Sequence, residues 1–103
     1  LPFNFIPLRM MRLNNFLYIT DTSNNVNIFK IGTNSNLTPV DIVNSSGAVG
    51  RSLVFGYQNY AYQPIFQSNK INQYEVESET GRLTLLHSYN TLVQPFHIAI
   101  FMW

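Results

Sequence analysis

The 103-residue chain has no cysteine. That absence excludes disulfides, thiolate zinc sites and cysteine nucleophiles, and it leaves the redox compartment open. Charge is sparse, at 11% of residues with a formal net charge of +1. So weak a field carries no footprint for nucleic acid or for an anionic membrane, and neither partner is expected. Long hydrophobic runs are missing too. The longest, Ile98 to Trp103, falls far short of the roughly 20 residues that span a bilayer. No signal peptide is visible and the first residue is Leu1, so cytoplasmic and exported locations both stay open. Only two histidines, His87 and His97, accompany scattered acids, so no metal and no cofactor is expected. Glycine-rich phosphate loops, a Gly-x-Ser-x-Gly elbow and a His-Glu-x-x-His pair are all lacking. No long window has helical periodicity.

What the chain does have is apolar content, 46% of residues, enough for one small ordered domain. Its apolar residues fall in short runs separated by polar turns. Phe16 to Thr20 reads as a strand, Asp21 to Asn25 as a turn, and Val26 to Ile31 as an alternating strand. The same layout returns at Tyr60 to Ile65 and Lys70 to Val76, 44 residues on at Tyr18 and Tyr62. Leu37-Thr38 returns as Leu83-Thr84, and Gly50 to Phe55 as Pro95 to Ile100, with Pro7 to Arg12 a weaker copy. Each round then holds four strands. The outer one, Leu37 to Val43, carries Pro39, which has no N–H and is tolerated mainly at an edge. Four antiparallel strands per ~40–50 residues is the pattern of a propeller blade. The expected fold is all-β, about two four-stranded propeller blades plus a start strand. The rounds fall at 7–49, 50–94 and 95–103 within a single propeller fragment. Tyr18/Tyr62, Phe29/Tyr74 and Ile31/Val76 recur and are expected as core residues between blades.

These repeats resemble those of the lactonase-type and YVTN-type seven-bladed β-propellers. The resemblance rests on Ser68 to Leu85, which contains Thr80-Gly81-Arg82-Leu83-Thr84, together with Pro95 to Ile100. It covers the chain from about Pro7 onward. Two departures stand out: Gln63-Pro64 replaces the usual Thr-Asn pair, and the turn of the second round is one residue longer. The resemblance implies a group that contains 6-phosphogluconolactonase-like enzymes, cell-surface proteins and proteins of no known role.

Two blades leave two uncovered faces. Missing blades of a longer chain, or self-association of copies into a ring, would cover them. In a propeller the outer-strand loops and the turn after the second strand ring the central channel. Arg9, Arg51 and His97 would stand near that rim, able to hold an anionic sugar or the oxygen of an opening lactone. Asp21, Arg51 and His97 are the candidate catalytic groups, with Asp21 and His97 as the pair that could activate water. Arg9, Arg51, Phe66, Phe96 and His97 are the candidate ligand contacts, for a small sugar-like molecule. The bland alternatives are solvated rim arginines and a structural histidine. Three functions follow: a non-enzymatic module for binding or assembly, a sugar-lactone hydrolase active only in a complete ring, and a carbohydrate-binding oligomeric propeller.

Overall fold

The structure, a computed structural model, describes residues 4–44, 53–65 and 69–91. Within them run strands β1 (Pro7–Leu13), β2 (Phe16–Asp21), β3 (Asn25–Ile31), β4 (Leu37–Asn44), β5 (Val54–Phe55), β6 (Tyr60–Ile65), β7 (Lys70–Val76) and β8 (Leu83–Asn90). They form two four-stranded sheets of order β1-β2-β3-β4 and β5-β6-β7-β8. Every neighbouring pair is antiparallel. These are two propeller blades, as the repeat implies. The strand starting at Pro95, and Arg51 with Ser52, lie outside the described residues.

Local chemistry explains the strand ends. The tight turn between β1 and β2 is Asn14-Asn15, with Asn14 at φ 54. Asn24 at φ 66 and Asn69 at φ 52 close the β2–β3 and β6–β7 hairpins. Asparagine takes the left-handed region more readily than other non-glycine residues, so its side chain suits each position. Before β6 the expected turn is a short 3₁₀ segment, Tyr57–Asn59, in which Gln58 and Asn59 also have positive φ. Pro39 lies on β4, the edge strand, beside a bulge between Ile28 and Phe29. The second sheet has its bulge at the equivalent place, between Gln73 and Tyr74. The repeat therefore extends to an irregularity of register.

Alternation along the strands gives each sheet two faces. Phe16, Tyr18, Val26 and Ile28 of the first sheet meet Leu53, Ala61, Tyr74, Val76 and Leu83 of the second in one buried cluster. Each buried aliphatic such as Ile28 contributes about 1.5–3 kcal/mol relative to exposure. Three of the positions expected between the blades differ. Tyr62 and Ile31 are only half-buried. Phe29, although buried, lies on the opposite face from the second sheet, where its ring meets Phe5 at 6.3 Å. Sheet two covers only one side of sheet one, so the same repeat position is central in one blade and peripheral in the other.

A polar clamp crosses the cluster. The Tyr18 hydroxyl, fully buried, donates to the carbonyl of Gly81 at 2.7 Å, and its ring lies 5.1 Å from that of Phe55. Gly81 has φ 76, and a Cβ placed on it would lie 2.5 Å from the Phe16 ring. Both the conformation and the space demand glycine. On the rim, Arg82 and Asp41 pair across the blades at 3.6 Å; so exposed a pair adds little.

Burial pushes the Tyr18 phenol up to about 12 from its ordinary 10. The folded state therefore holds this proton more tightly than the unfolded chain does. Its stabilising contribution is complete below pH 10 and is lost as pH rises toward 12. Thermal melts at pH 8 and pH 11 are expected to show a smaller alkaline loss in Tyr18→Phe than in the parent. At pH 8 the substitution costs about 1–3 kcal/mol by leaving the Gly81 carbonyl unpaired. Gly81→Ala is expected to cost about 2–3 kcal/mol in urea unfolding, through the Phe16 contact and the left-handed backbone. Ser35→Ala, in the exposed equivalent turn, stays within about 0.5 kcal/mol.

Candidate functional site

The face of the first sheet turned away from the second carries a cleft of about 580 Å³, lined by Phe5, Asp21, Asn25, Asn27, Phe29 and Ile42 among others. Its floor is aromatic and its end is polar. The polar end is built by the β2–β3 hairpin. Asp21 is the last residue of β2, and its side chain folds back over the turn as Asx residues do. Its Oδ1 accepts the N–H groups of Ser23 at 2.8 Å and Asn25 at 3.0 Å. Its Oδ2 accepts the side-chain amide of Asn27 at 2.7 Å. Asn27 also donates to the Ile19 carbonyl at 3.2 Å. Asp21 is 1% exposed, so burial would be costly without these three donors.

Arg9 is exposed on β1 and is paired in register with Thr20. Cross-strand partners share a face, so Arg9 projects on the side of Thr20 and Tyr18, opposite to Asp21. The two candidates thus stand on opposite faces of one sheet. Arg51, Phe66, Phe96 and His97 lie outside the described residues. Among the described residues, no group of three His, Asp or Glu side chains could hold a metal ion. None of their helices is long and apolar enough to cross a membrane. Two buried side-chain oxygens near the hairpin, Thr20 Oγ1 and Asn24 Oδ1, have no hydrogen-bond partner.

The second cleft carboxylate, Asp41, accepts the N–H of Ile42 at 2.9 Å and pairs with Arg82. The cleft can therefore offer carboxamides and an aromatic surface, while its carboxylates are bonded to the protein itself.

Reading the sequence alone leaves out the asparagines. Asn27 and Asn72 occupy equivalent positions on β3 and β7. Asn72 is buried, accepts the Ser88 hydroxyl at 2.7 Å and donates to the Tyr74 hydroxyl at 3.3 Å. Tyr74 in turn donates to Gln63 Oε1 at 3.1 Å. The signal was available as an asparagine recurring in the middle of an apolar strand, where a polar residue needs a partner.

The family model for lactonase, 7-bladed β-propeller, matches residues 8–100. A candidate 6-phosphogluconolactonase from Bacteroides fragilis superposes with a TM-score of 0.66 at 26% identity, over 75% of this chain and 23% of that one. A periplasmic gluconolactonase from Pseudomonas aeruginosa gives a TM-score of 0.73 at 15% identity, over 88% of this chain and 28% of that one. A protein from Lactobacillus plantarum gives 0.72 at 20% identity, over 86% and 27%. The chain thus spans about a quarter of the length of these solved relatives. No curated protein matches.

Asp21→Ala is expected to cost about 2–3 kcal/mol in chemical denaturation, because it leaves buried donors, the Asn27 amide among them, without their acceptor. Asp21→Asn keeps the shape but sets an amide against amide donors and falls between the two.

Proposed function

The chain belongs to the lactonase, 7-bladed β-propeller family, and on that premise we propose that it is a module for binding or assembly within a larger propeller, without turnover of its own. The observation that carries this reading is Asp21. A general base needs a lone pair within reach of the water it activates. Asp21 is buried, three of the about four acceptor positions of its carboxylate are filled by donors of its own hairpin, and Arg9 lies across the sheet from it. The chain's share of its relatives' length, 23–28%, supports the same view. A channel site converging from several blades needs more blades than two.

A second reading is favoured by the names of two solved relatives, a candidate 6-phosphogluconolactonase and a gluconolactonase. In it the chain contributes to a sugar-lactone hydrolase that acts only when the ring is complete. Arg9, Arg51 and His97 would then hold the anionic sugar and the developing oxyanion at the channel rim, with Phe66 and Phe96 against the sugar.

Lactone opening releases an acid, so a pH-stat follows it directly. With gluconolactone and 6-phosphogluconolactone, neither the 103-residue chain nor an assembled form of it is expected to add anything to spontaneous hydrolysis. Turnover above that background, abolished by His97→Ala or Arg9→Ala, would replace the module reading with the hydrolase.

A further inference from the structure

The end strand of a sheet has one row of backbone N–H and C=O groups outside the ladder, and proteins blunt such edges with charge, proline or brevity. Among the described residues the two sheets end in β1, β4, β5 and β8. β1 carries Pro7, Arg9 and Arg12. β4 carries Pro39 and Asp41. β5 is only two residues long. β8 has eight residues, with no proline and no Lys, Arg, Asp or Glu. Every residue on it after Leu83 is exposed, Leu85 by 44%, Leu86 by 38% and Tyr89 by 51%. It is the one edge of the four without a chemical guard.

Two backbone bonds fix which groups of β8 point outward. Thr91 N–H donates to the Asn69 carbonyl at 2.8 Å, one step beyond the Lys70–Asn90 pair. Bonded and unbonded pairs alternate along an antiparallel ladder, so Asn90 and Ser88 turn their N–H and C=O away from β7. At the other end Glu77 N–H donates to the Arg82 carbonyl at 2.9 Å, and the same alternation turns Leu85 outward. The bulge opposite Gln73 and Tyr74 separates the two runs. As the fourth strand of its blade, β8 lies at the perimeter, away from the channel. Its edge stays open whether or not further blades complete the ring.

An antiparallel strand set against its own copy brings each side chain opposite another of the same set. β8 holds no ionised group at neutral pH, so nothing in that set repels itself. β4 does not fit the same edge, because Pro39 lacks an N–H and Asp41 is already bonded to Ile42 and Arg82. Two β8 edges meet about a two-fold axis, and that contact closes, since each edge is used once. We propose that β8 is a docking edge for a second copy of this chain, joined β8 to β8 in an antiparallel pair through the outward backbone groups of Ser88 and Asn90, so that two second blades form one continuous sheet. The pairing goes beyond the module reading and needs no change in it. Its test reads mass rather than turnover, so the two can fail separately.

Sedimentation equilibrium of the full chain over a range of concentrations is the measurement. The parent is expected to rise to twice its single-chain mass and to stop there. Asn90→Pro removes an outward N–H and leaves the ladder to β7 intact, as proline at an edge does. The axis counts the loss twice, so the dimer is expected to weaken about thirtyfold, the worth of two hydrogen bonds. Asn90→Lys keeps the N–H but sets two cations along the shared edge, and is expected to weaken the dimer most at low salt. Glu75→Arg, which reverses a charge on the open face of the second sheet, is expected to leave the dimer unchanged. A parent that keeps its single-chain mass at every concentration would overturn the proposal, whether β8 stays bare or takes an extended segment of another protein. So would a mass that climbs past two copies, a dimer indifferent to both Asn90 variants, or one broken by Glu75→Arg.

Discussion

Among the described residues, the buried polar contact that sets the two blades in their relative position is the Tyr18 hydroxyl on the Gly81 carbonyl, while the Arg82–Asp41 pair lies on the exposed rim. Apolar burial supplies most of the driving force, but it is non-directional and tolerates sliding. A buried hydroxyl and a buried carbonyl tolerate less, because each loses water on burial and must find its partner. The Phe16 ring adds the second constraint, since it occupies the volume that any side chain at position 81 would need. Hydrogen bond and ring together define how far, and at what height, one sheet lies on the other.

From that contact follows the different fate of equivalent residues. On the second blade, Gln63, Asn72 and Tyr74 are buried by the first sheet and satisfy one another, with Ser88 completing the chain of bonds. On the first blade the corresponding places hold Ile19, Asn27 and Phe29, and the partner of the asparagine is Asp21 instead. Both solutions obey the same rule, that a buried carboxamide must be bonded. They reach it with different residues, because one face lies under a neighbouring blade and the other under the short Asn4–Ile6 arm, whose Ile6 carbonyl accepts the Thr22 N–H at 3.1 Å.

Family and chemistry separate along the same line. The strand order and the repeat are those of a propeller, and the family model over residues 8–100 places the chain in its family. A propeller scaffold carries many functions, and a site is read from side chains rather than from the fold. Here the most buried carboxylate, Asp21, serves its own hairpin, and Arg9 stands on the opposite face of the sheet.

The sequence by itself determined the all-β class, the two rounds of four strands and nearly every strand boundary. All of these are local, written in apolar alternation and in asparagine and glycine at turns, and the repeat supplied each reading twice. Proline at 39 even located the sheet edge. Which face of each sheet is covered was decided only by the tertiary structure. Phe29 and Tyr74 are interchangeable as repeat positions, yet one lies against Phe5 and the other between the blades. The role of Asp21 was hidden for the same reason. An aspartate at a turn has one pattern whether its oxygens are free or held, and the Asn27 amide that occupies Oδ2 comes from the next strand. Composition and spacing record which groups are present along the chain; the pairing of strands and the stacking of sheets record which of them are already satisfied.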